Sequence, residues 1–183
     1  GVAPNSRILG LMLPYTPLHY LLIEGFQALV MTSANYADEP IIYEDEAALT
    51  LLEQRPGISE GGFLAPLAGG LLGHNRPIYR RCDDSVMICV GDAPLFFRRS
   101  RGYAPQPLPL IDSGRNILSL GGEQKNTFCL TRGNEAFLSQ HIGDLDNLAT
   151  YTSFKKEIDF FIKMFDSKPQ LIVHDLHPQY LST

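Results

Sequence analysis

Three prolines within five residues divide the chain into two parts. Pro105, Pro107 and Pro109 lie in the segment 104–116, which reads APQPLPLIDSGRN. Alternating prolines favour an extended, semi-rigid backbone. We therefore predict a domain boundary near residue 110. The predicted organisation is a first domain over 1–108, a proline-rich linker over 109–116 and a second domain over 117–183.

The first part alternates predicted strands and helices. Thr16 followed by Pro17 predicts the capped start of a helix over 17–26, and an acidic first turn predicts a second helix over 44–54. A glycine-rich loop is predicted over 57–73. The predicted strands are short apolar runs, over 8–13, 28–32, 77–81, 85–90 and 95–99. This order predicts a mixed sheet with helices, of the α/β (α+β) class.

The second part has a different pattern. Three strand-like runs come first, then a helix over about 148–166 and a last strand over 170–174. The three runs cover 117–120, 127–131 and 135–140. A β-meander followed by a helix and a strand is how an actin-like (RNase H-like) domain opens. A segment this short buries little apolar area, so we expect it to be marginally stable alone.

Composition excludes several classes of protein. The 183 residues are 44% hydrophobic and 19% charged, and the net charge is −5. This disfavours a disordered chain and a surface devoted to nucleic acid or anionic membrane. The longest apolar run, over 63–73, is broken by Pro66 and is shorter than the ~20 residues that span a bilayer. The first residues show no secretory signal, and no membrane association is expected.

The cysteines predict the redox compartment. Cys82, Cys89 and Cys129 are odd in number and match no CxxC spacing. A disulfide framework is therefore not expected, and the predicted location is the reducing cytoplasm.

A polar loop after the second predicted strand is the first candidate site. It contains Thr32, Ser33, Ala34 and Asn35. In open α/β sheets, ligands bind beyond the carboxyl ends of strands, and hydroxyl and amide groups there can hold a phosphate or acyl oxygen. An ordinary turn explains the same residues.

An arginine-rich stretch is the second candidate. We name residues 76–101 the arginine segment. It carries six arginines against three acidic residues, with aromatic residues between them. Guanidinium groups suit phosphate and aromatic faces suit bases. The competing interpretation is a solvated sheet face on which Asp83 and Asp84 pair with the arginines.

Two weaker candidates lie in the second part. Residues 121–126, which we name the GGEQKN loop, could admit an anion to backbone N–H groups, with Lys125 within reach. A plain hairpin turn is the favoured interpretation of this loop. His174, Asp175 and His177 supply too few ligands to predict a metal site. His19 and His141 are predicted to be structural.

Seven motifs, taken in order, resemble one continuous stretch of the HypF family, the carbamoyltransferases that mature nickel–iron hydrogenases. They cover nearly the whole chain. The departure is the glycine-rich stretch 53–73, where the family has a shorter link. The motifs are GLMLPYTPLHYLL (10–22), VMTSANYADEP (30–40), HNRPIYRRCDDSV (74–86), FRRSRGYAP (97–105), LGGEQKNTFCL (120–130), AFLSQHIGDLDN (136–147) and VHDLHPQYLST (173–183).

The resemblance implies a fold and an activity. The chain resembles the second half of a YrdC-like domain followed by the first part of an ASKHA (Kae-like, actin-like) domain. Intact members make carbamoyl-adenylate from carbamoyl phosphate and ATP with Mg²⁺, then transfer the carbamoyl group to the C-terminal cysteine of HypE. The zinc or iron of the intact family is implied to have its ligands outside this chain. We therefore expect this chain alone to be inactive.

The resemblance also carries binding residues. Ser33 and Asn35 match the S-x-N element of YrdC-like domains, and Lys125 and Asn126 match the first nucleotide loop of the ASKHA domain. The implied contacts to nucleotide, phosphate or carbamoyl groups are Ser33, Asn35, Arg76, Ser85, Arg99, Arg101, Lys125 and Asn126. Thr32, Asp175 and His177 are second-rank residues of the cleft. No catalytic residue and no metal ligand is assigned.

Three alternatives remain at this point. One is a YrdC-type threonylcarbamoyl-adenylate synthase, and another is a non-catalytic module that binds double-stranded RNA or tRNA. A third is an inert remnant of a larger gene. The LPYTPLH motif and the ASKHA-like continuation after Pro109 favour the HypF family over the synthase, and the net charge disfavours nucleic acid.

Overall fold

The structure is a computed structural model that describes residues 2–35, 39–53, 70–111 and 114–183. It divides into two compact units, Gly1–Ala34 and Asn35–Thr183. The predicted domain boundaries stay a prediction. Within the described ranges, no helix combines the length and the apolar character needed to cross a bilayer.

The first unit contains one helix, α1 (Pro17–Ile23). Thr16 caps it as predicted, because its hydroxyl accepts from the His19 N–H at 3.2 Å. The predicted strands over 8–13 and 28–32 are wrong, since both segments lack strand structure. Leu11 is 87% exposed, so no layer formed by the described residues covers its side chain. A run that is apolar on both faces becomes a strand only between two such layers.

The second unit begins with α2 (Asp45–Glu53), whose acidic first turn was predicted. Most of the predicted glycine-rich loop lies outside the described residues. A hairpin follows, formed by β1 (Val86–Val90) and β2 (Ala93–Arg98) in antiparallel pairing. The predicted strand over 77–81 is wrong, because these residues pair with no strand of the described chain.

A five-stranded sheet forms the rest of the second unit. Its spatial order is β3-β6-β5-β4-β7, and every neighbouring pair is antiparallel except β4 and β7. The four strands predicted after residue 116 are confirmed, with ends that differ by up to two residues. The strands are β3 (Leu108–Pro109), β4 (Ile117–Ser119), β5 (Cys129–Arg132), β6 (Glu135–Leu138) and β7 (Leu171–Val173).

The helix α3 (Leu148–Met164) covers one face of this sheet and contributes to its core. Phe154 and Phe161 of α3 pack edge-on against Phe128, with ring centroids 6.2 and 4.8 Å apart. The helix is part of the connection from β4 to β7. Because these two strands are parallel, their carboxyl ends lie at the same end of the sheet. The loops that leave these two strands therefore meet there.

Candidate functional site

Two arginines of the arginine segment form ion pairs with the aspartates beside them. Arg101 Nε lies 3.0 Å from Asp84 Oδ1, and Arg98 Nη1 lies 3.6 Å from Asp83 Oδ2. All four side chains are at least partly exposed, so each pair contributes little to stability. The pairing that was expected under the competing interpretation is thus present.

Ser85 is tied to the backbone of the same region. Its hydroxyl donates to the Arg101 carbonyl at 2.9 Å and accepts from the Ser100 N–H at 2.8 Å. The structure therefore brings Ser85 and Arg101 together. It gives the Ser85 hydroxyl a role in holding the turn that follows β2.

Arg99 differs from its neighbours in how its guanidinium is used. Nη2 donates to the Gln106 carbonyl at 3.0 Å, whereas Nη1 is buried and has no hydrogen-bond partner among the described residues. Burial lowers the pKa of Arg99. Leaving a charged donor unpaired is unfavourable, so this nitrogen is a candidate to donate to an anion.

The GGEQKN loop is held by Asn126, which is 1% exposed. Its Nδ2 donates to the Leu120 carbonyl at 2.9 Å and to the Gly122 carbonyl at 2.6 Å. Its Oδ1 is buried and makes no hydrogen bond in the described chain. Asn126 thus shapes the loop from inside.

Lys125 lies in the left-handed region at φ 48°, and its N–H donates to Asp144 Oδ1 at 2.6 Å. A lysine rarely adopts this conformation without support from its surroundings. The loop connects the antiparallel strands β4 and β5, as the hairpin interpretation predicted, and Asn126 and Asp144 fix its conformation by hydrogen bonds.

The turn after β7 lies beside this loop. Asp175 Oδ1 accepts from the His177 N–H at 2.9 Å, and the His177 ring stacks on Tyr180 with centroids 4.3 Å apart. Glu123 of the GGEQKN loop accepts from the Leu181 N–H at 2.8 Å. Two of the three second-rank residues, Asp175 and His177, are thus exposed in a turn that is hydrogen-bonded to the loop.

A short strip, residues 140–142, is bonded to both candidate regions. Gln140 Nε2 donates to the Arg81 carbonyl at 2.8 Å, and the Ile142 N–H donates to the Asn126 carbonyl at 2.9 Å. His141 lies between these two anchors. The strip thus links the arginine segment to the GGEQKN loop.

The electrostatic surroundings of His141 match this position. Burial lowers the pKa of His141, and the charges of Arg98 and Lys125 lower it further, whereas Asp83 and Asp144 oppose the shift. Arg98 and Asp83 belong to the arginine segment, Lys125 belongs to the GGEQKN loop, and Asp144 accepts a hydrogen bond from the Lys125 N–H. The lowered pKa makes this half-buried imidazole a weaker base than a free histidine.

The remaining predicted residues lie in exposed or half-exposed loops. Thr32 and Ser33 are exposed residues of the first unit, and Asn35 Nδ2 donates to the Glu39 carbonyl at 2.9 Å. Arg76 is exposed, and its N–H donates to His74 Nδ1 at 3.3 Å. A common site for these residues and Arg99 stays a prediction. The described residues contain no group of three or more His, Cys, Asp or Glu side chains placed to hold a metal ion.

Sequence reasoning missed several residues of this site. Gln140 and Asp144 were not singled out, whereas the prediction that His141 is structural stays a prediction. All three lie in the motif AFLSQHIGDLDN, which was used only for the resemblance. Its concentration of polar residues directly after a strand was the available signal.

Family models match both parts of the chain. Residues 1–100 match the Sua5/YciO/YrdC model, described as telomere recombination, and residues 112–183 match the model of the HypF Kae1-like domain. Carbamoyltransferase HypF2 of Cupriavidus necator is 46% identical over all of this chain and 23% of its own length. Carbamoyltransferase HypF of Synechocystis sp. is 42% identical over all of this chain and 22% of its own length.

Solved structures agree with the sequence matches. Full-length HypF in a phosphate- and nucleotide-bound form has a TM-score of 0.84 and 44% identity, over 96% of this chain and 26% of that one. The chain belongs to the HypF family. HypF from T. kodakarensis matches with a TM-score of 0.79 and 34% identity, over 92% of this chain and 21% of its own.

These HypF matches confirm the predicted fold class, a YrdC-like part followed by the opening of a Kae1-like domain. Intact members of the family are carbamoyltransferases. The chain spans about a quarter of the length of these relatives.

Proposed function

We propose that this chain is the part of a HypF carbamoyltransferase in which carbamoyl-adenylate is held and passed on. The whole enzyme would make this compound from carbamoyl phosphate and ATP with Mg²⁺. It would then transfer the carbamoyl group to the C-terminal cysteine of HypE, to supply the cyanide ligand of a nickel–iron hydrogenase. The zinc or iron of the family would be held by residues of other segments, and the reaction would take place in the cytoplasm.

The observation that carries this proposal is the strip at residues 140–142. It is bonded to the Arg81 carbonyl on one side and to the Asn126 carbonyl on the other. Carbamate attack on the α-phosphorus depends mostly on positioning and charge neutralisation, which arginines provide. An adenylate formed beside Arg99 and Arg101 would therefore have the GGEQKN loop as its neighbour.

The transfer step is an acyl transfer from oxygen to sulfur. A bond forms between the cysteine sulfur and the carbamoyl carbon, while the bond from that carbon to the phosphate oxygen breaks. AMP leaves with its phosphate charge, and the thiol proton is lost to a base or to water. Cationic and backbone donors around the departing phosphate favour this step.

The alternatives are less well supported. A threonylcarbamoyl-adenylate synthase would share residues 1–100, but the HypF Kae1-like match over 112–183 favours the carbamoyltransferase. An RNA-binding module would use the arginine segment, yet Arg98 and Arg101 already pair with aspartates. This pairing reduces the positive field that RNA would meet.

The experiment is a titration of the chain with ATP or a non-hydrolysable acyl-adenylate, followed by amide NMR. We expect shifts near residues 32–35 and 98–102. Arg99→Met should weaken them, whereas the matched control Arg132→Met at an exposed strand end should not. A folded sample in which neither range shifts would remove nucleotide binding from this chain.

A further inference from the structure

Glu157 is a buried carboxylate in the middle of α3. The residue is 5% exposed, and its Oε2 lies 2.6 Å from Arg80 Nη1. Burial raises the pKa of Glu157, and the charges of Arg80 and Arg81 oppose that rise. Glu157 is thus paired with an arginine that lies 77 residues earlier in the chain.

The residues around Arg80 are fixed by several further contacts. Its guanidinium carbon lies 4.5 Å from the centroid of the Phe160 ring, and the Tyr79 ring centroid lies 6.0 Å from the same ring. The Arg81 carbonyl accepts from Gln140 Nε2. Three consecutive residues are therefore held by α3 and by the strip at 140–142, although they form no strand.

The next two residues, Cys82 and Asp83, hold one of the predicted phosphate contacts, Arg101. The Cys82 carbonyl accepts from Arg101 Nη2 at 2.9 Å, and the Asp83 carbonyl accepts from the Arg101 N–H at 3.1 Å. The Asp83 carboxylate pairs with Arg98. Residues 79–83 therefore form a connection that runs from α3 to Arg98 and Arg101.

The energetics of such a pair favour orientation over stability. Removing two charges from water is unfavourable, and replacing a buried ion pair by apolar side chains often leaves stability unchanged or higher. Removing one partner alone leaves a buried charge without compensation and is strongly destabilising. An ion pair is directional and therefore favours one relative orientation of the two segments. An apolar contact tolerates rotation and selects among orientations less strictly.

We propose that Arg80 and Glu157 are positioning residues that set the orientation of the arginine segment relative to the GGEQKN loop. They join the part of the chain that matches the Sua5/YciO/YrdC model to the part that matches the HypF Kae1-like domain. They touch no reacting atom, and they act through residues 81–83 on Arg98 and Arg101. The functional consequence rests on the function proposed above.

The test compares the whole chain with three variants: Glu157→Gln, the apolar pair Arg80→Met/Glu157→Leu, and the control Asp159→Asn. Asp159 is an exposed residue on the same helix, so this control removes one negative charge outside the contact. Residual dipolar couplings give the orientation of the β1–β2 hairpin relative to β4–β6. Amide shifts give the dissociation constant for ATP.

We expect Glu157→Gln and the apolar pair to change the relative orientation of the hairpin, and to weaken ATP binding at least fivefold. The apolar pair should keep the urea midpoint of the unchanged chain, which separates positioning from stability. The control should match the unchanged chain in every measurement.

An unchanged hairpin orientation in both the Glu157→Gln chain and the folded apolar pair would overturn the positioning role. If the unchanged chain fails to bind ATP, the proposed function falls, while the dipolar couplings still decide whether the pair sets the orientation. A lower midpoint in the apolar pair with the original orientation would show a merely structural contact, and would also overturn the inference.

Discussion

Gly121 is a position that only glycine fits. Its φ is +72°, and a Cβ built there would lie 2.3 Å from the Thr127 carbonyl oxygen and 3.1 Å from Asn126 Nδ2. We predict that Gly121→Ala lowers the free energy of unfolding by more than about 1 kcal/mol, because alanine is strained at positive φ and the backbone oxygen has to move. Urea unfolding measures this.

Gly122 offers a matched control for this change. No atom of the described residues lies within 4 Å of a Cβ placed there, so Gly122→Ala should be close to neutral. Equal unfolding midpoints for the two alanine variants would contradict the described shape of the GGEQKN loop.

His141 gives the folded chain a pH dependence. Because burial and the charges of Arg98 and Lys125 lower its pKa, the folded state binds fewer protons at this site than the unfolded state. Falling pH through the unfolded pKa of about 6.5 therefore favours unfolding, and the loss ends below the folded pKa. The contribution of His141 to the free energy of unfolding is therefore fully present only above about pH 6.5.

Urea unfolding of the unchanged chain and of His141→Asn between pH 5 and 8 isolates this contribution. Glu157 acts in the opposite direction, since its raised pKa favours the folded state at low pH, but it is common to both chains. As the pH falls, we expect the free energy of unfolding of the unchanged chain to decrease relative to that of the His141→Asn chain. A difference that is constant across this range would contradict the described surroundings of the imidazole.

At the scale of the elements, the stability of α3 depends on the side-chain cap at its first turn. Asn147 Oδ1 accepts from the Ala149 N–H at 2.8 Å and from the Thr150 N–H at 3.4 Å. Asn147→Ala should lower the free energy of unfolding by about 1 kcal/mol, whereas Asn147→Asp should retain the cap. Thermal or urea unfolding of both variants checks this, and equal losses would argue against side-chain capping.

The success of element prediction differed between the two parts for a physical reason. α3 was predicted because Ile158, Phe161, Ile162 and Phe165 lie on one face at helical spacing; Phe161 is in the core, and Ile158 and Phe165 pack against it. The runs 8–13 and 28–32 carry an equally strong apolar signal, yet the described chain supplies no partner strand for their backbone. Composition indicates what a segment would bury, but it cannot state whether a covering layer is present.

Prediction of the candidate site likewise succeeded only where a local pattern was present. Lys125 and Asn126 were predicted from a resemblance, and the structure gives them a defined loop. Arg80 and Glu157 were not found, because one charged residue on a helix and another far away carry no local pattern. Long-range ion pairs are visible only once the chain is folded.

At the scale of the whole molecule, we predict that this chain alone forms no carbamoyl-adenylate. It spans about a quarter of the length of HypF relatives, and positioning in this reaction requires groups from more than one domain. Pyrophosphate release that depends on carbamoyl phosphate is the measurement, with full-length Synechocystis HypF as the positive control. Release by the chain alone, above a blank without protein, would disprove the prediction.

The two borders of the five-stranded sheet are unlike each other. One border is the edge strand β3, in which Pro109 has no N–H to donate to a further strand. The other border is β7, which presents Leu171, Ile172 and Val173 at 44–57% exposure. A further strand is therefore added more readily beside β7 than beside β3.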